Sequence, residues 1–179
     1  DGHEVRVVPT PAALRFVGEA TWAALSRQPV TTDVWTDVHE VRHVSLGRRA
    51  DLVVVAPATA DLMARLAQGI ADDLLTTLVL ATDAPIALAP AMNQAMWRDP
   101  ATRHNSQTLT DRGMRLFGPA AGTQACGDVG PGRMLEAEEL AQCAADTFEH
   151  RLLTGKHVLI TAGPTQENID PVRYITNHS

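Results

Sequence analysis

The feature that most constrains the fold is a continuous apolar run, Leu52 to Ala56, which ends at Pro57. A strand with one buried face alternates apolar and polar residues, whereas a continuous apolar run indicates a strand covered on both faces, as in a parallel sheet. The following residues, Thr59 to Gln68, place apolar side chains at helical spacing, and Gly69 is typical of a helix end. A buried strand followed directly by an amphipathic helix predicts one β–α unit of an α/β protein.

The same alternation continues on both sides of this unit. Pro85 to Ala89 predicts the next buried strand, and the pattern from Ala101 to Arg112 predicts the helix after it. Residues 118–134 hold five glycines and two prolines and are interpreted as a long loop. Strands that alternate with helices favour an α/β fold, a doubly wound, Rossmann-like parallel sheet with helices on both faces. Further predicted elements are strands at Val5–Val8, Met114–Phe117 and Lys156–Thr161, helices around residues 12–16, 21–26 and 136–153, and a helix capped by Asp72 that runs to about Leu80.

Composition argues against several classes of protein. The net charge of −6 disfavours nucleic acid as a partner, because phosphate recognition needs clustered Lys and Arg. No apolar run approaches the length of a membrane span, and no metal-ligand spacing surrounds the two cysteines, Cys126 and Cys143. We therefore expect a cytoplasmic protein with reduced thiols, no membrane segment and no metal site. At 179 residues the chain is long enough for one domain and part of another.

Two of the predicted strands end in similar segments, where a ligand of an open α/β sheet would bind. The segments are APATAD at residues 56–61 and APAMN at residues 89–93. Thr59, Ala60 and Asp61 would begin a helix, so they either cap it or offer amides to an anion or a polar ring. Asn93 likewise either completes a turn or recognises a ligand. The chain has no GxGxxG motif, which counts against a nicotinamide dinucleotide.

A histidine and a cysteine are the candidates for proton transfer. His43 precedes the 52–56 strand and is either a solvated surface residue or a general base, for which its ordinary pKa is suited. Cys126 lies in the glycine-rich segment GTQACGDVGPGRM, which is longer than a simple connection. Its thiol is either incidental or able to deliver a proton or attack a substrate. Cys143 lies among alanines of a predicted helix, where we expect core packing.

Taken together, three segments resemble the homo-oligomeric flavin-containing cysteine decarboxylases. PAMNQAMW (90–97) resembles their PxMNxxMW substrate-recognition motif, and ACGDVGPGRM (125–134) resembles the substrate clamp of their phosphopantothenoylcysteine decarboxylase branch. The stretch from His43 to Leu62 resembles the segment that carries that branch's active-site histidine and one wall of its flavin site. Residues 157–179 are similar to the opening of phosphopantothenate–cysteine ligase.

The resemblance implies roles for individual residues. His43 matches the active-site histidine, Asn93 the asparagine that holds the substrate carboxylate, and Cys126 the proton donor. The implied FMN contacts are Thr59, Ala60, Asp61, Leu62 and Ala91, with Asp61 standing where some relatives have asparagine. The implied substrate contacts are Asn93, Met92, Gln124 and Ala125, and the ligase-like residues are Arg173 and Asn177. For Met92, Met96 and Trp97, pocket lining and core packing remain equally open.

The resemblance also implies an activity and a domain organisation. Residues 1–153 would form an FMN-dependent decarboxylase domain that lacks the family's first strand and phosphate loop, and residues 154–179 a linker and the start of a ligase domain. The expected reaction turns 4′-phosphopantothenoylcysteine into 4′-phosphopantetheine in coenzyme A biosynthesis, through a thioaldehyde, loss of CO2 and re-reduction of an enethiolate. CTP and Mg2+ are expected for the ligase half alone. The family implies a trimer-based homo-oligomer, with a dodecamer of four trimers as one form.

Two other functions are compatible with the same fold. One is decarboxylation of a peptidyl cysteine, or a related prenyl transfer to flavin, on a different substrate. The other is a non-catalytic flavin-binding protein that regulates a partner. The ACGD segment and the ligase-like tail count against the first, and the presence of His43, Asn93 and Cys126 counts against the second.

Overall fold

A computed structural model describes residues 2–30, 42–124 and 127–148 of the chain. It also describes the backbone alone of residues 166–168 and 174–176, and for residues 42–45 it describes no side chains. The chain divides into two compact units, Asp1–Thr147 and Phe148–Ser179. Among the described residues, the second unit contains one antiparallel strand pair.

The elements follow one another in the order expected of an α/β protein. They are a 3₁₀ turn Ala13–Arg15, α1 Glu19–Ser26, α2 Arg42–Arg49, β1 Val53–Ala58, α3 Ala60–Gln68, α4 Leu74–Ala81, β2 Ile86–Pro90, α5 Gln94–Arg98, α6 Pro100–Asp111, β3 Arg115–Leu116, β4 Ala120–Thr123, β5 Val129–Arg133, α7 Ala137–Asp146, β6 Gln166–Asn168 and β7 Tyr174–Thr176.

The central sheet is parallel, with the strand order β1-β2-β3. Val53 pairs with Ile86 and Val55 with Leu88, and the register then shifts before Ala58 meets Pro90. β2 has a neighbour on each side, and its residues Ala87 to Ala89 are fully buried, which is why this segment is continuously apolar. The α/β class and the Rossmann-like parallel sheet predicted from the sequence are confirmed.

α3 shows why the helix after β1 forms where it does. The Thr59 hydroxyl accepts a hydrogen bond from the Leu62 N–H at 3.3 Å, and Gly69 ends the helix in the left-handed conformation with φ 72°. Between them the helix buries one apolar face against the core, and burial of each large side chain stabilises the fold by about 1.5–3 kcal/mol. The buried residues are Leu62, Met63, Leu66 and Ala67.

The helix after α3 begins one residue later than predicted, because Asp73 and not Asp72 is its cap. The Asp73 carboxylate accepts from the Thr76 N–H at 2.8 Å, and the Thr76 hydroxyl accepts from the Asp73 N–H at 3.2 Å. Asp72 instead pairs with Arg65, which also donates to Asp73 at 2.9 Å. Burial raises the pKa of Asp73, but the hydrogen bonds from Thr76 and Arg65 outweigh it and leave that pKa below its ordinary value.

Two predictions near the amino terminus are wrong. Val5–Val8 forms no strand, because β-branched residues favour extended backbone but a strand also needs a partner edge, and this segment pairs with none of the described strands. The predicted helix around residues 12–16 is a single 3₁₀ turn, and Phe16 is 89% exposed. The predicted helix at 21–26 is confirmed as α1.

The region from residue 91 onward departs most from the sequence prediction. A short helix, α5, was not predicted, and the presumed loop 118–134 is an antiparallel hairpin in which Ala121 faces Pro131 and Gly122 faces Gly130. Cys143 is half-buried on α7, none of whose described residues is fully buried, so its expected core packing is wrong. The predicted strand at 156–161 lies outside the described residues.

Candidate functional site

The carboxyl ends of β1 and β2 lie side by side and define the candidate site. Ala58 pairs with Pro90 at the end of the ladder, and the Ala91 N–H donates to the Ala58 oxygen at 3.1 Å. The two segments that follow these strands, one leading into α3 and the other into α5, are therefore joined at their first residues. This is the edge at which open α/β sheets bind ligands.

The amino end of α3 offers hydrogen-bond donors beside a carboxylate. Thr59 caps the helix, and within the described residues the N–H groups of Ala60 and Asp61 have no acceptor, as expected for a first helical turn. The Asp61 side chain is exposed. A carboxylate at this position repels a phosphate, so the helix end suits a neutral ring edge that carries both donors and acceptors. The Leu62 side chain is 6% exposed and belongs to the core, which leaves only its main chain for contact with a cofactor.

Asn93 has the role of helix cap and also faces the hairpin. Its Oδ1 accepts from the Ala95 N–H at 2.8 Å at the start of α5. Its Nδ2 donates to the Asp128 carboxylate at 2.9 Å, near the tip of the β4–β5 hairpin. The bond to Ala95 fixes which end of the amide points toward the hairpin, so the donor end is presented on that side. Turn formation and ligand recognition are therefore compatible at this residue.

The hairpin is attached to the segment after β2 by main-chain and side-chain bonds. The Met92 N–H donates to the Gly132 oxygen at 2.9 Å. The Gln124 amide cross-links three points: its Nε2 donates to the oxygens of Met92 and Pro131 at 3.3 and 3.2 Å, and its Oε1 accepts from the Gln94 N–H at 3.0 Å. Gln124 was predicted to contact substrate, and that contact stays a prediction; its side-chain amide binds main-chain groups of the protein.

Two glycines of β5 allow this close attachment. A Cβ on Gly130 would clash with the Gln94 side chain, with Cδ at 2.9 Å. A Cβ on Gly132, whose φ is +129°, would clash with the Met92 oxygen and lie 2.9 Å from Gln124 Nε2. The two glycines are two residues apart, so they share the face of the strand that meets the segment after β2.

The remaining predicted site residues divide between core and surface. Met92 is half-buried and packs against the core, whereas Met96 is 49% exposed. Trp97 is 8% exposed, and the Arg103 guanidinium lies 6.0 Å from the centre of its ring. The structure favours core packing for Trp97.

Several predicted residues cannot be placed. The side chain of His43 and residues Ala125, Cys126, Arg173 and Asn177 lie outside the described residues. The far end of the helix that carries His43 is fixed, because the Thr82 hydroxyl donates to the Gly47 oxygen at 2.7 Å. In the described part of the chain, no group of three or more metal-binding side chains is found, and no helix is long and apolar enough to cross a membrane.

Sequence reasoning missed Asp128, Gln94 and the two glycines of β5. Asp128 lies two residues beyond Cys126 in the clamp-like segment, but nothing in the sequence shows that it reaches Asn93. The spacing of Gly130 and Gly132 is the one available signal, since glycines at alternate strand positions indicate a close backbone approach on one face.

Comparison with known proteins identifies the family to which the chain belongs. Residues 1–149 match the Flavoprotein family, and residues 153–179 match the DNA/pantothenate metabolism flavoprotein C-terminal domain. The fold and these matches define a flavoprotein of the α/β class. The chain belongs to the Flavoprotein family.

Curated relatives are longer than this chain. It is 56% identical over 180 residues to the coenzyme A biosynthesis bifunctional protein CoaBC of Vibrio vulnificus. The matched region covers 99% of this chain and 45% of that protein. It is 53% identical over 184 residues to the protein of the same name from Mycolicibacterium smegmatis, covering 99% of the chain and 44% of the relative. The chain therefore spans a little under half the length of these relatives.

Solved structures share the fold. A cysteine-to-serine mutant of PPC decarboxylase complexed with pantothenoylaminoethenethiol has a TM-score of 0.73 and 33% identity, over 82% of this chain and 84% of that one. The FMN binding protein AtHal3 has a TM-score of 0.70 and 33% identity, over 81% and 82%. The FMN-dependent cysteine decarboxylase SpaF has a TM-score of 0.65 and 36% identity, over 80% and 81%.

Proposed function

We propose that this chain is the FMN-dependent decarboxylase part of a bifunctional enzyme of coenzyme A biosynthesis, and that it converts 4′-phosphopantothenoylcysteine into 4′-phosphopantetheine and CO2. The observation that carries the proposal is the fixed amide of Asn93, which follows β2 at the carboxyl edge of the sheet and presents its donor end toward the hairpin. The names of the curated relatives and of the PPC decarboxylase structure support the choice of substrate.

FMN fits the groups at the carboxyl edge of the sheet. The N–H groups of Ala60 and Asp61, the Asp61 carboxylate and the main chain of Ala91 supply the mixture of donors and acceptors that the edge of a flavin ring requires. Thr59 contributes by holding the helix end in place. When bound, FMN supplies a reversible two-electron oxidation of the cysteine side chain, which gives the electrons left by CO2 a place to go.

Asn93 suits a carboxylate that must depart. A hydrogen bond from a neutral amide orients the group, whereas a full ion pair would stabilise its charge and oppose its loss. The bond from the Ala95 N–H keeps Oδ1 away from the substrate, so that a carboxylate meets only N–H groups. Met92 positions this residue through its bond to Gly132, and Gln124 fixes Met92 in turn.

Proton transfer is assigned to His43 and Cys126 from the sequence resemblance. His43 is the proposed proton acceptor or electrostatic partner of the substrate, and Cys126 the proposed proton donor late in the cycle. Ala125 is proposed to contact substrate beside Cys126. The described residues on either side of Cys126 are compatible with its role: the Gly127 N–H donates to the Gln124 oxygen at 2.9 Å, and the next residue, Asp128, accepts from Asn93.

The longer protein and its assembly extend the proposal. We place the domain boundary at residue 153, close to the division between the compact units after Thr147. Residues 154–179 would form a linker and the start of a ligase domain. That domain would use CTP and Mg2+, and Arg173 and Asn177 would belong to it. We also propose a trimer-based homo-oligomer, up to a dodecamer, as the family resemblance implies. We also propose a cytoplasmic location, as expected for a protein whose cysteines are reduced thiols.

The test compares substrates on protein reconstituted with FMN. CO2 release is measured with 4′-phosphopantothenoylcysteine and with a peptide that ends in cysteine. Release from the first alone supports the proposal, whereas release from the peptide alone assigns a peptidyl-cysteine decarboxylase. FMN retention without release from either identifies a flavin-binding protein of another kind. Cys126→Ser is expected to abolish 4′-phosphopantetheine formation, and normal product formation by this variant would remove Cys126 from the mechanism.

A further inference from the structure

The bond between Asn93 and Asp128 places a carboxylate of the protein on the amide that we assign to the substrate carboxylate. Asp128 Oδ2 accepts from Asn93 Nδ2 at 2.9 Å. The contact joins the end of β2 to the hairpin 35 residues further along the chain. Its chemistry, an amide N–H on a carboxylate oxygen, is the same as that of the proposed substrate contact.

The amide cannot serve the two carboxylates independently. Oδ1 of Asn93 is held by the Ala95 N–H at 2.8 Å, so the amide keeps its orientation and its N–H end faces the hairpin. Acceptors on the two N–H groups of one amide lie about 5 Å apart, from hydrogen-bond geometry. Two carboxylates at that separation repel each other, and binding one therefore disfavours the other.

We infer that Asp128 is a specificity-determining residue that occupies the carboxylate position on Asn93 until the substrate carboxylate displaces it. The inference rests on the proposed function, because it takes Asn93 as the substrate's partner. The displaced Asp128 still lies close enough to repel the substrate carboxylate, which weakens its binding in the ground state, and this repulsion disappears when CO2 leaves. An interaction that opposes the carboxylate before reaction and not after it favours decarboxylation. The product lacks the carboxylate and binds with Asp128 still on Asn93.

The side chain of Asp128 can be changed without removing the turn it belongs to. Its main-chain oxygen accepts from the Gln124 N–H at 2.8 Å, and this bond does not depend on the side chain. Asp128→Asn removes the charge and keeps an oxygen that can accept from Asn93, and Asp128→Ala removes both. Asp51→Asn is the matched control, because it removes one exposed carboxylate just before β1, at the amino edge of the sheet and opposite the site.

The experiment measures ligand affinity by calorimetry on FMN-loaded protein with two unreactive ligands. One is 4′-phosphopantothenoylserine, in which a hydroxyl replaces the thiol, and the other is the same molecule without its carboxylate. Both Asp128 variants are expected to bind the carboxylate ligand about tenfold more tightly. This factor lies between the values that Coulomb's law gives for two charges about 5 Å apart in water and at a protein surface. Their affinity for the second ligand, and both affinities of Asp51→Asn, are expected to match those of the unmodified protein.

Equal changes for the two ligands would assign Asp128 a merely structural role and overturn the inference, and so would weaker binding of the carboxylate ligand. Circular dichroism shows that each variant is folded, and the two variants change the side chain in different ways. If the unmodified protein binds neither ligand, the proposed function itself fails. If it binds both and the Asp128 variants show no selective gain, only the role of Asp128 fails.

Discussion

The main-chain N–H of Met92 donates to the main-chain oxygen of Gly132 at 2.9 Å, and this bond attaches the β4–β5 hairpin to the segment that carries Asn93. The parallel sheet brings the starts of α3 and α5 together, but it leaves the hairpin unplaced. The hairpin's position is fixed by this bond and by the Gln124 amide. The sheet and the hairpin therefore form the candidate site together.

Gly132→Ala is expected to destabilise the protein and weaken substrate binding. The new Cβ would clash with the Met92 oxygen, and φ of +129° strains any side-chain-bearing residue. Gly113→Ala is the control, because φ there is +89° but no atom lies within 4 Å of the added Cβ. In urea unfolding, Gly132→Ala should lose about 1–3 kcal/mol for strain and further stability for the clash. Equal losses for the two variants would show that Gly132 makes no close approach to Met92.

Gln124→Glu is expected to raise KM for the substrate more than it lowers kcat. The substitution replaces two N–H donors with a carboxylate oxygen that repels the oxygens of Met92 and Pro131, and each lost bond costs about 1–3 kcal/mol. The exposed Gln68→Glu, which makes the same change on α3, should leave both constants unaltered. A large loss of kcat at constant KM would instead place Gln124 in contact with the reacting group.

The sheet could be predicted from the sequence and the β4–β5 hairpin could not. The sheet could be predicted because Leu52–Ala56 is continuously apolar, and a strand of that kind must be covered on both faces whatever its partners are. The hairpin could not be predicted, because glycines such as Gly130 and Gly132 are typical of loops. Their requirement for glycine comes from Gln94 and Met92, more than thirty residues earlier.

The candidate site divides in the same way. Asn93 could be singled out because it follows directly after a buried strand, and position along the chain is enough for that inference. Its partner Asp128 could not, since the contact depends on how the hairpin docks. Asp72 and Asp73 are both acceptable helix caps by residue type, and only the backbone conformation decides between them.

The stability of the protein should depend on pH through Asp73. Burial raises the pKa of Asp73, but hydrogen bonds from Thr76 and Arg65 lower it below the unfolded value of about 3.9. The stabilisation is therefore complete above that value and is lost as pH falls through the lower folded pKa. Asp73→Asn keeps a cap but not the pair with Arg65, so its midpoint of thermal unfolding should lie below that of the unmodified protein at neutral pH. The two midpoints should approach each other as pH falls through the lowered pKa of Asp73. A constant difference across this range would contradict the assignment.

Asn93→Asp is expected to prevent substrate binding while FMN is retained. The new carboxylate would face both the substrate carboxylate and Asp128, and like charges at hydrogen-bond distance repel strongly. Asn105→Asp on α6 adds the same charge away from the strand ends and should bind substrate normally. Both variants are compared by flavin absorbance and by KM. Unaltered KM in Asn93→Asp would exclude Asn93 as the carboxylate's partner.

The most direct test of the central claim is the stoichiometry of the reaction under anaerobic conditions. FMN-loaded protein is mixed with 4′-phosphopantothenoylcysteine, and CO2, 4′-phosphopantetheine and the flavin spectrum are measured together. We predict equal amounts of CO2 and 4′-phosphopantetheine over many turnovers, with no added oxidant or reductant and with the flavin oxidised at the end. Absence of CO2, or product formation that consumes an external redox partner, would contradict the account.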